Sequence, residues 1–286
     1  MIEVVIGERP PEHVMTAFGV RGSVEPQQLD DGWDGGWRCG ELVLSLVADN
    51  ARAAWSATVR ETLFVDGLRL ARPVRSTDGR YVVSGWRADT YVSGTPEPRH
   101  DEVVSVGVRL HEATSKLERP QFLTRPPVPP WTDVDVFVAA DRAAWEDRPL
   151  RMMPPGAPEL PADSAGVELI AELAALRKPT KSPSQLVHGD LYGGVLFDGT
   201  APPGITDITP YWRPASWAAG VAVVDAIAWG DADDALVERW EALPEWPQML
   251  LRALLFRVAV HVLHPRSTEE NFGGLAHMAA LVKLVL

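Results

Sequence analysis

Apolar residues in the first 94 positions occur in short alternating runs, which is the pattern of β-strands. The run at 38–47, RCGELVLSLV, follows a glycine-rich stretch at 30–37 and predicts a strand entered through a hairpin. Two or three more short strands are predicted over 70–94, around a Ser-Thr-Asp-Gly turn. Between these regions, Asp49 caps a predicted helix that extends to residue 64. We therefore expect a β-rich first part with a single helix.

The remainder of the chain shows the three-to-four-residue apolar spacing of helices. A helix is predicted after the prolines of 95–98, and the proline-rich segment 118–131 that follows it is a connector. Further helices are predicted at 140–148, 164–178 (capped by Ser164), 215–230, 233–243, 247–264 and 273–286. Among these helices lies a hairpin-like stretch at 185–208.

This order of elements predicts an α+β fold with two lobes. The small β-rich N-lobe is expected at 1–93 and the larger, α-rich C-lobe at 94–286, with the hairpin 185–208 inside the larger lobe.

Composition and charge narrow the classes of function. With 286 residues, 46% of them apolar and 23% charged, the chain has the composition of a globular protein. A net charge of −12 disfavours nucleic acid as a partner, because binding the phosphate backbone needs a basic face. No window reaches the roughly 18 apolar residues of a membrane span. A single cysteine, Cys39, and a charged N-terminal stretch predict a cytoplasmic protein without an intrachain disulfide.

Two aspartates mark the chemistry of the hairpin. His188-Gly189-Asp190 follows an apolar approach, and after a glycine pair, a short strand and an Asp-Gly turn the second strand ends at Asp207. Two carboxylates on neighbouring strand ends suit phosphoryl transfer, in which one accepts the hydroxyl proton and the other holds Mg²⁺ against the nucleotide.

This arrangement resembles the aminoglycoside phosphotransferase and choline kinase family, which has the bilobal protein-kinase-like fold. The resemblance implies that Asp190 is the catalytic base, His188 braces the loop and Asp207 is the metal ligand. Three further stretches, RPPEHVMTAFGV, SGWRADTYVSGTPEPR and ITDITPYWRP, resemble an actinobacterial branch of that family. The scarcity of lysine (four) and asparagine (two) is typical of a GC-rich genome.

Two residues that the family uses to handle ATP are missing. The phosphate-binding lysine of the third strand corresponds to Ser45, and residues 1–115 contain no lysine; Arg38 is the candidate replacement. The asparagine that binds the second metal corresponds to Gly194. The glutamate expected on helix 49–64 is also displaced, because Thr58 stands at its position and Glu61 is the only glutamate there.

The glycine-rich stretch allows several interpretations. Gly35 and Gly36, with Arg38, are candidate nucleotide-binding residues, because glycine lets backbone amides approach a phosphate. The flanking Trp33, Asp34 and Trp37 suit a triphosphate poorly; an aromatic lid over an apolar ligand, or a plain hairpin turn, are the alternatives.

Candidate substrate-binding residues lie in and after the hairpin. Tyr192 adjoins the catalytic loop, Trp212 and Arg213 follow Asp207, and Asp225 lies on the next helix, where it could bind a cationic or hydroxylated substrate. Packing is the alternative role for Tyr192 and Trp212, bracing of the loop for Arg213, and a helix-end charge for Asp225.

Three hypotheses follow. The first is a kinase-fold protein with a degenerate ATP site, either a repurposed enzyme or a pseudokinase, acting on a small molecule in actinobacterial, including secondary, metabolism and needing no cofactor. The second is a divergent but active phosphotransferase that uses Mg²⁺ and ATP. The third is a non-enzymatic subunit with a protein partner, suggested by the eleven tryptophans and the apolar C-terminus.

Overall fold

The computed structural model describes residues 8–29, 32–127, 131–146 and 165–286. The bilobal α+β fold predicted from the sequence is confirmed. The small lobe comprises α1 (Glu12–Ala17), β1 (Gln27–Gln28), β2 (Trp37–Cys39), β3 (Leu42–Leu46), α2 (Asn50–Thr62), β4 (Arg69–Leu70), β5 (Pro73–Val74), β6 (Val82–Val83) and β7 (Trp86–Thr90).

An antiparallel sheet of order β1-β2-β3-β7-β5, with β6 also paired to β7, forms the small lobe. The prediction of one strand over 38–47 is wrong, because a tight turn at Gly40 (φ +68°) divides it into β2 and β3. The capped helix is confirmed: the Asp49 carboxylate accepts hydrogen bonds from the amides of Ala51 (2.8 Å) and Arg52 (3.2 Å) at the start of α2.

The large lobe is mainly helical. It contains α3 (His100–Thr114), a 3₁₀ turn (Gln121–Thr124), α4 (Asp133–Trp145), α5 (Ala165–Ala175), α6 (Ala215–Trp229), α7 (Leu236–Arg239), α8 (Trp246–Leu263) and α9 (Glu269–Val285). Helix α7 is much shorter than the predicted 233–243. Residues 147–148 and Ser164, which belonged to predicted helices, lie outside the described residues.

The core of the large lobe surrounds α6 and α8. Both helices are apolar on almost every face and are buried along nearly their whole lengths, as expected for helices enclosed by other helices. Tyr211, Trp217 and Phe256 form an aromatic cluster with ring centroids 5.4–5.6 Å apart. By length and composition α8 could cross a membrane, but 78% of that segment is buried inside the protein, which identifies it as a core helix.

Four short strands position the loop 189–194, which contains Asp190. Strand β8 (Gln185–His188) pairs antiparallel with β11 (Pro210–Arg213), and between them β9 (Val195–Leu196) pairs with β10 (Gly204–Ile205). Strand β4 of the small lobe adds to β10 in parallel, so a three-stranded sheet joins the two lobes. Asp190 and Asp207 therefore lie at the junction of the lobes. The domain boundary after residue 93 remains a prediction.

Candidate functional site

Two histidines hold the loop that follows β8, residues 189–194. The backbone amide of His188 donates to Nε2 of His111 on α3 (3.0 Å), and the amide of Asp190 donates to Nδ1 of His188 (3.1 Å). Both rings are buried. Burial lowers the pKa of His188. The pKa of His111 is lowered to about 3, first by burial and then by the neighbouring ring of His188. Both imidazoles are therefore neutral at physiological pH and act as fixed hydrogen-bond acceptors that orient the loop.

Asp190 lines the cleft and is held in place by Arg257 of α8. Nη2 of Arg257 on α8 donates to Asp190 (2.8 Å), while the same guanidinium binds Asp225 of α6 through Nε (2.7 Å) and Nη2. Burial alone would lower the pKa of Arg257, but the carboxylates of Asp225 and Asp190 outweigh it and raise the pKa. Asp225 is only 1% exposed and Asp190 is half exposed. Asp225 thus fixes Arg257, and Arg257 fixes Asp190.

Asp207 is enclosed by donors on two sides. Its Oδ1 accepts hydrogen bonds from Ser56 Oγ (2.5 Å) and the Ile208 amide (2.7 Å) and lies 3.3 Å from Nε of Arg60, and its Oδ2 pairs with Nη1 of Arg87. Burial would raise the pKa of Asp207, but Arg87 and Arg60 hold it well below the ordinary value. The carboxylate is therefore ionised and already neutralised by the protein.

Arg60, Arg87, Asp89 and Asp207 form one charge-balanced cluster, named here the arginine–aspartate cluster. Arg60 Nη1 binds Asp89 at 2.7 Å, and Arg87 Nε lies 3.2 Å from the same carboxylate. The side chains of Arg60 and Asp89 are 0% and 1% exposed. Two positive and two negative charges, each with close partners, satisfy the requirement that buried ions be paired.

The cluster inverts the charge pattern of an active kinase. A kinase pairs a strand lysine with a helix glutamate at this place, whereas here β3 carries Ser45 and α2 carries Arg60. Arg87 stands opposite Ser45 in the register of β3 and β7. The predicted positions for the helix glutamate do not face the cleft: Glu61 binds Arg75 and Tyr81 on the surface, and Thr58 is exposed.

Sequence reasoning missed Arg60 and Arg87. A signal for Arg87 is present, since Arg87 and Asp89 are two apart in the strand segment WRADT and therefore lie on one face of it. For Arg60, the only signal in the sequence is that an arginine lies on the apolar side of α2. That signal fits an arginine at the surface as well as one buried in the cleft.

The glycine-rich stretch enters the cleft through Asp34. Asp34 has a left-handed backbone (φ +48°), and its pKa is raised, first by burial and then by the carboxylate of Asp190. Gly35, Gly36 and Arg38 do not line the cleft cavities described below; the guanidinium of Arg38 lies over the ring of Tyr91, 3.8 Å from its centroid.

Two adjoining cavities form the cleft. The first, of about 410 Å³, is lined by His188, Tyr192, Asp225 and Trp229, among others, and the second, of about 380 Å³, by Arg52, Trp212 and Arg213, among others. The residues shared by both are Asp34, Phe137, Asp190, Asp207 and Thr209. Catalytic and substrate candidates from the sequence thus converge on one cleft, with Asp34, Asp190 and Asp207 at its centre.

The predicted substrate residues differ in how firmly they are held. Arg213 makes two hydrogen bonds of 2.7 Å to Asp141 on α4, which braces β11 against that helix. Tyr192 is half-buried and stacks on His100, with centroids 6.3 Å apart. Burial, followed by Asp225, raises the pKa of Tyr192, so its hydroxyl stays protonated and can donate a hydrogen bond into the first cavity.

The residues present do not fit Mg²⁺ and ATP. Both oxygens of Asp207 are engaged by Ser56 and the arginines, and Gly194 supplies no side-chain ligand. A polyphosphate would moreover meet Asp34, whose carboxylate faces the same space.

Comparison with known proteins rests on structure. No protein-family model matches the chain, and no curated protein matches it in sequence. Solved structures match over nearly its whole length. A microcompartment-associated aminopropanol kinase has a TM-score of 0.59 at 16% identity, covering 95% of this chain and 94% of its own.

A spectinomycin phosphotransferase in complex with ADP and spectinomycin has a TM-score of 0.55 at 10% identity, covering 95% and 96% of the two chains. A choline/ethanolamine kinase family protein from Mesorhizobium loti has a TM-score of 0.51 at 18% identity, covering 93% and 90%. At these identities the likeness establishes the fold. The family resemblance seen in the sequence is confirmed at that level: this chain has the fold of aminoglycoside phosphotransferases and choline/ethanolamine kinases.

Proposed function

We propose that this protein is a kinase-fold protein that does not perform ordinary Mg²⁺- and ATP-dependent phosphoryl transfer. It acts instead on a small molecule in the cleft, as a repurposed enzyme or a ligand-binding pseudokinase. In this proposal Asp190 is the carboxylate that meets the ligand, and Asp207 is a positioning residue held by its arginines.

The observation that carries the proposal is the engagement of Asp207. A metal-binding aspartate has to offer free lone pairs to Mg²⁺, which tolerates little departure from octahedral geometry. Here Ser56, Arg60 and Arg87 contact both oxygens of Asp207. The guanidinium groups that could bind phosphate are thus paired with a carboxylate of the protein itself. Binding Mg²⁺–ATP would require breaking this partly buried cluster, which is costly.

The chemistry of the first cavity suggests the ligand class. Its volume of about 410 Å³ suits a small molecule. Carboxylates of Asp34, Glu97 and Asp190 face it together with the aromatic rings of Tyr192 and Trp229. Acidic groups beside aromatic faces favour a cationic or polyhydroxylated compound. The solved structures with this fold include proteins named for aminopropanol and spectinomycin, which fit that description.

Calorimetric titration with ATP in the presence and absence of Mg²⁺ tests the proposal. We expect no binding up to millimolar nucleotide, because both oxygens of Asp207 are already engaged by Ser56, Arg60 and Arg87, and Arg87 is itself paired with Asp207 and Asp89. Micromolar binding that depends on Mg²⁺ would overturn it. Ligand-observed NMR with a panel of amino alcohols then tests the cleft: a hit should weaken at least tenfold in Asp190→Asn and stay unchanged in the control Asp66→Asn, which changes an exposed carboxylate outside both cavities.

A second candidate is a divergent active kinase, favoured by one observation. Arg87 lies opposite Ser45 and lines the second cavity, so a guanidinium is present beside the place of the missing lysine. In that case Mg²⁺–ATP would bind, and Arg87→Gln would abolish binding while Arg52→Gln, in the same cavity, would not. An interaction subunit remains the third alternative from the sequence.

A further inference from the structure

The glycine-rich turn, residues 32–36, is docked inside the cleft against both lobes. Thr206 Oγ1 of the large lobe donates to the carbonyl of Gly32 (2.9 Å). A side chain added at Gly32 would place its Cβ 2.4 Å from Leu196 Cδ2, and one added at Gly36 would lie 2.7 Å from Ser45 Oγ. Both contacts are too close for any Cβ, so the backbone itself packs there, and it covers the place where a kinase has its phosphate-binding lysine.

Trp33 fills an apolar slot between the lobes. Its indole is 5% exposed and clusters with Val43 and Val92 of the small lobe and Leu196 of the large-lobe hairpin. The ring stacks on Tyr91, with centroids 6.1 Å apart and planes inclined by 17°. The slot therefore accommodates a flat bicyclic ring system, and in this protein the ring belongs to the chain.

Asp34 brings a negative charge to the other end of the turn. Its carboxyl lines both cavities beside Asp190 and Asp207 and is near enough to Arg87 to feel its charge. Asp34 has a left-handed backbone (φ +48°), as do Gly32 (φ +88°) and Gly35 (φ +69°) of the same turn. In kinases a glycine-rich loop covers the nucleotide phosphates from outside; this turn lies within the cleft and supplies an anion of its own.

We propose that residues 32–36 are the intrinsic occupant of the nucleotide site, with the Trp33 indole in place of a planar base and the Asp34 carboxylate in place of phosphate charge. The proposal deepens and rests on the proposed function, since it names what closes the cleft to nucleotide. It also accounts for Ser45: a lysine at that position would collide with the docked turn. The ligand of the protein must then enter through the remaining cavities.

Opening the slot should create a binding site for a purine nucleoside. Trp33→Ala removes the indole. Gly32→Ala keeps the indole but displaces the turn, because the new Cβ lies 2.4 Å from Leu196 Cδ2, a fully buried side chain with little room to move, and because alanine is strained at φ +88°. The matched controls are Trp37→Ala, on β2 of the same hairpin, and Gly40→Ala, which also has a positive φ (+68°, against +88° at Gly32) but nothing within 4 Å of an added Cβ. Adenosine, which carries no phosphate, is the probe, and calorimetry with thermal shift is the readout.

We expect wild type and controls not to bind adenosine at millimolar concentration, and both opened variants to bind at least tenfold more tightly. The proposal would be overturned if the wild type bound adenosine as tightly as Trp33→Ala does. It would also be overturned if neither variant, when folded, bound adenosine more tightly than the wild type. Hydrogen exchange on the wild type adds a test that needs no variant. The amides of Leu29 and Gly36, bonded to the Gly36 carbonyl (2.8 Å) and the Trp33 carbonyl (2.8 Å), should be protected, and their free exchange would refute docking.

These outcomes are separable from those of the proposed function. Mg²⁺-dependent binding of ATP to the wild type would overturn the proposed function, yet the turn would still be an occupant if Trp33→Ala strengthened that binding. The converse outcome is a wild type that fails to bind ATP while the folded Trp33→Ala and Gly32→Ala variants also fail to bind adenosine. That result would support the proposed function and would show that the turn is not what excludes the nucleotide.

Discussion

Removing Arg60 is the sharpest test of the arginine–aspartate cluster. Arg60→Met keeps the length and apolar stem of the side chain but deletes its charge. The guanidinium donates to Ser56 Oγ (3.1 Å), the Ala71 carbonyl (2.7 Å), Asp89 (2.7 Å) and the Thr206 carbonyl (3.2 Å). The substitution therefore leaves a buried carboxylate with one remaining cation and takes a donor from two carbonyls.

The size of the effect follows from burial. Arg60 and Asp89 are 0% and 1% exposed, so solvent cannot replace the lost partner. Breaking a buried ion pair on one side costs about 3–5 kcal/mol, because the other charge stays in the protein interior. Against a total stability of about 5–15 kcal/mol this is a large share. For chains of about 150–250 residues, each kcal/mol of lost stability lowers the melting temperature by about 2–4 °C. The loss expected for Arg60→Met should therefore lower the melting temperature by roughly 10 °C.

Urea unfolding followed by circular dichroism measures this loss, with Arg52→Met as the control. Arg52 lies two turns earlier on α2, and its ion pair with Asp49 is 3.6 Å long and partly exposed, so it should cost less than about 1 kcal/mol. Adding Asp89→Leu to Arg60→Met should recover part of the loss, since the unpaired charge is then gone. An Arg60→Met cost no greater than that of Arg52→Met would refute the cluster as a stabilising unit.

Three smaller perturbations test other parts of the cleft. Desolvation within the cleft, followed by the carboxylate of Asp190, raises the pKa of Asp34 above its unfolded value, although the residue is exposed to solvent. Its cost to stability is therefore small, absent below about pH 4 and present above the folded pKa. Asp34→Asn should accordingly stabilise the protein slightly, and more at high pH than at low pH, in urea titrations across about pH 3–8. Gly189→Ala places a Cβ 2.4 Å from the Tyr211 ring and should cost about 1–3 kcal/mol in thermal melts, whereas Gly22→Ala, with open space around it, should cost little. Arg213→Lys keeps the charge but loses the bidentate pair with α4, which should cost roughly 1–2 kcal/mol without weakening ligand binding.

Local signals in the sequence predicted the scaffold of the site. Asp49 caps α2 because its carboxylate needs only the amides two and three residues further along the chain, those of Ala51 and Arg52. The alternation around 185–208 identifies the hairpin strands because their partners are near in sequence. The placement of Asp190 and Asp207 at one cleft follows from that hairpin. The turn at Gly40 was missed since apolar residues continue on both sides of it.

The charges that decide the chemistry depend on contacts between distant residues. Arg60 meets Thr206 across 146 positions and Arg87 meets Asp207 across 120, and no periodicity within either segment contains such a pairing. Arg38 was the natural candidate for the cation because it precedes the strand with Ser45. The register instead places Arg38 opposite Val43 and Arg87 opposite Ser45, so a different strand supplies the guanidinium.

The cluster also changes what a retained aspartate means. From sequence, the presence of both Asp190 and Asp207 beside a lost lysine suggests chemistry that survived, since a relic has no need of two carboxylates. The structure supplies another reason to keep Asp207: it shares Arg60 and Arg87 with Asp89, and without it two arginines would balance one carboxylate in a largely buried site. Asp190 is not needed to balance a buried charge in this way, because the charge of Arg257 is already balanced by the fully buried Asp225. The half-exposed Asp190 is therefore the carboxylate that our proposal assigns to the ligand, whereas the charge balance of the arginine–aspartate cluster accounts for Asp207 as a positioning residue.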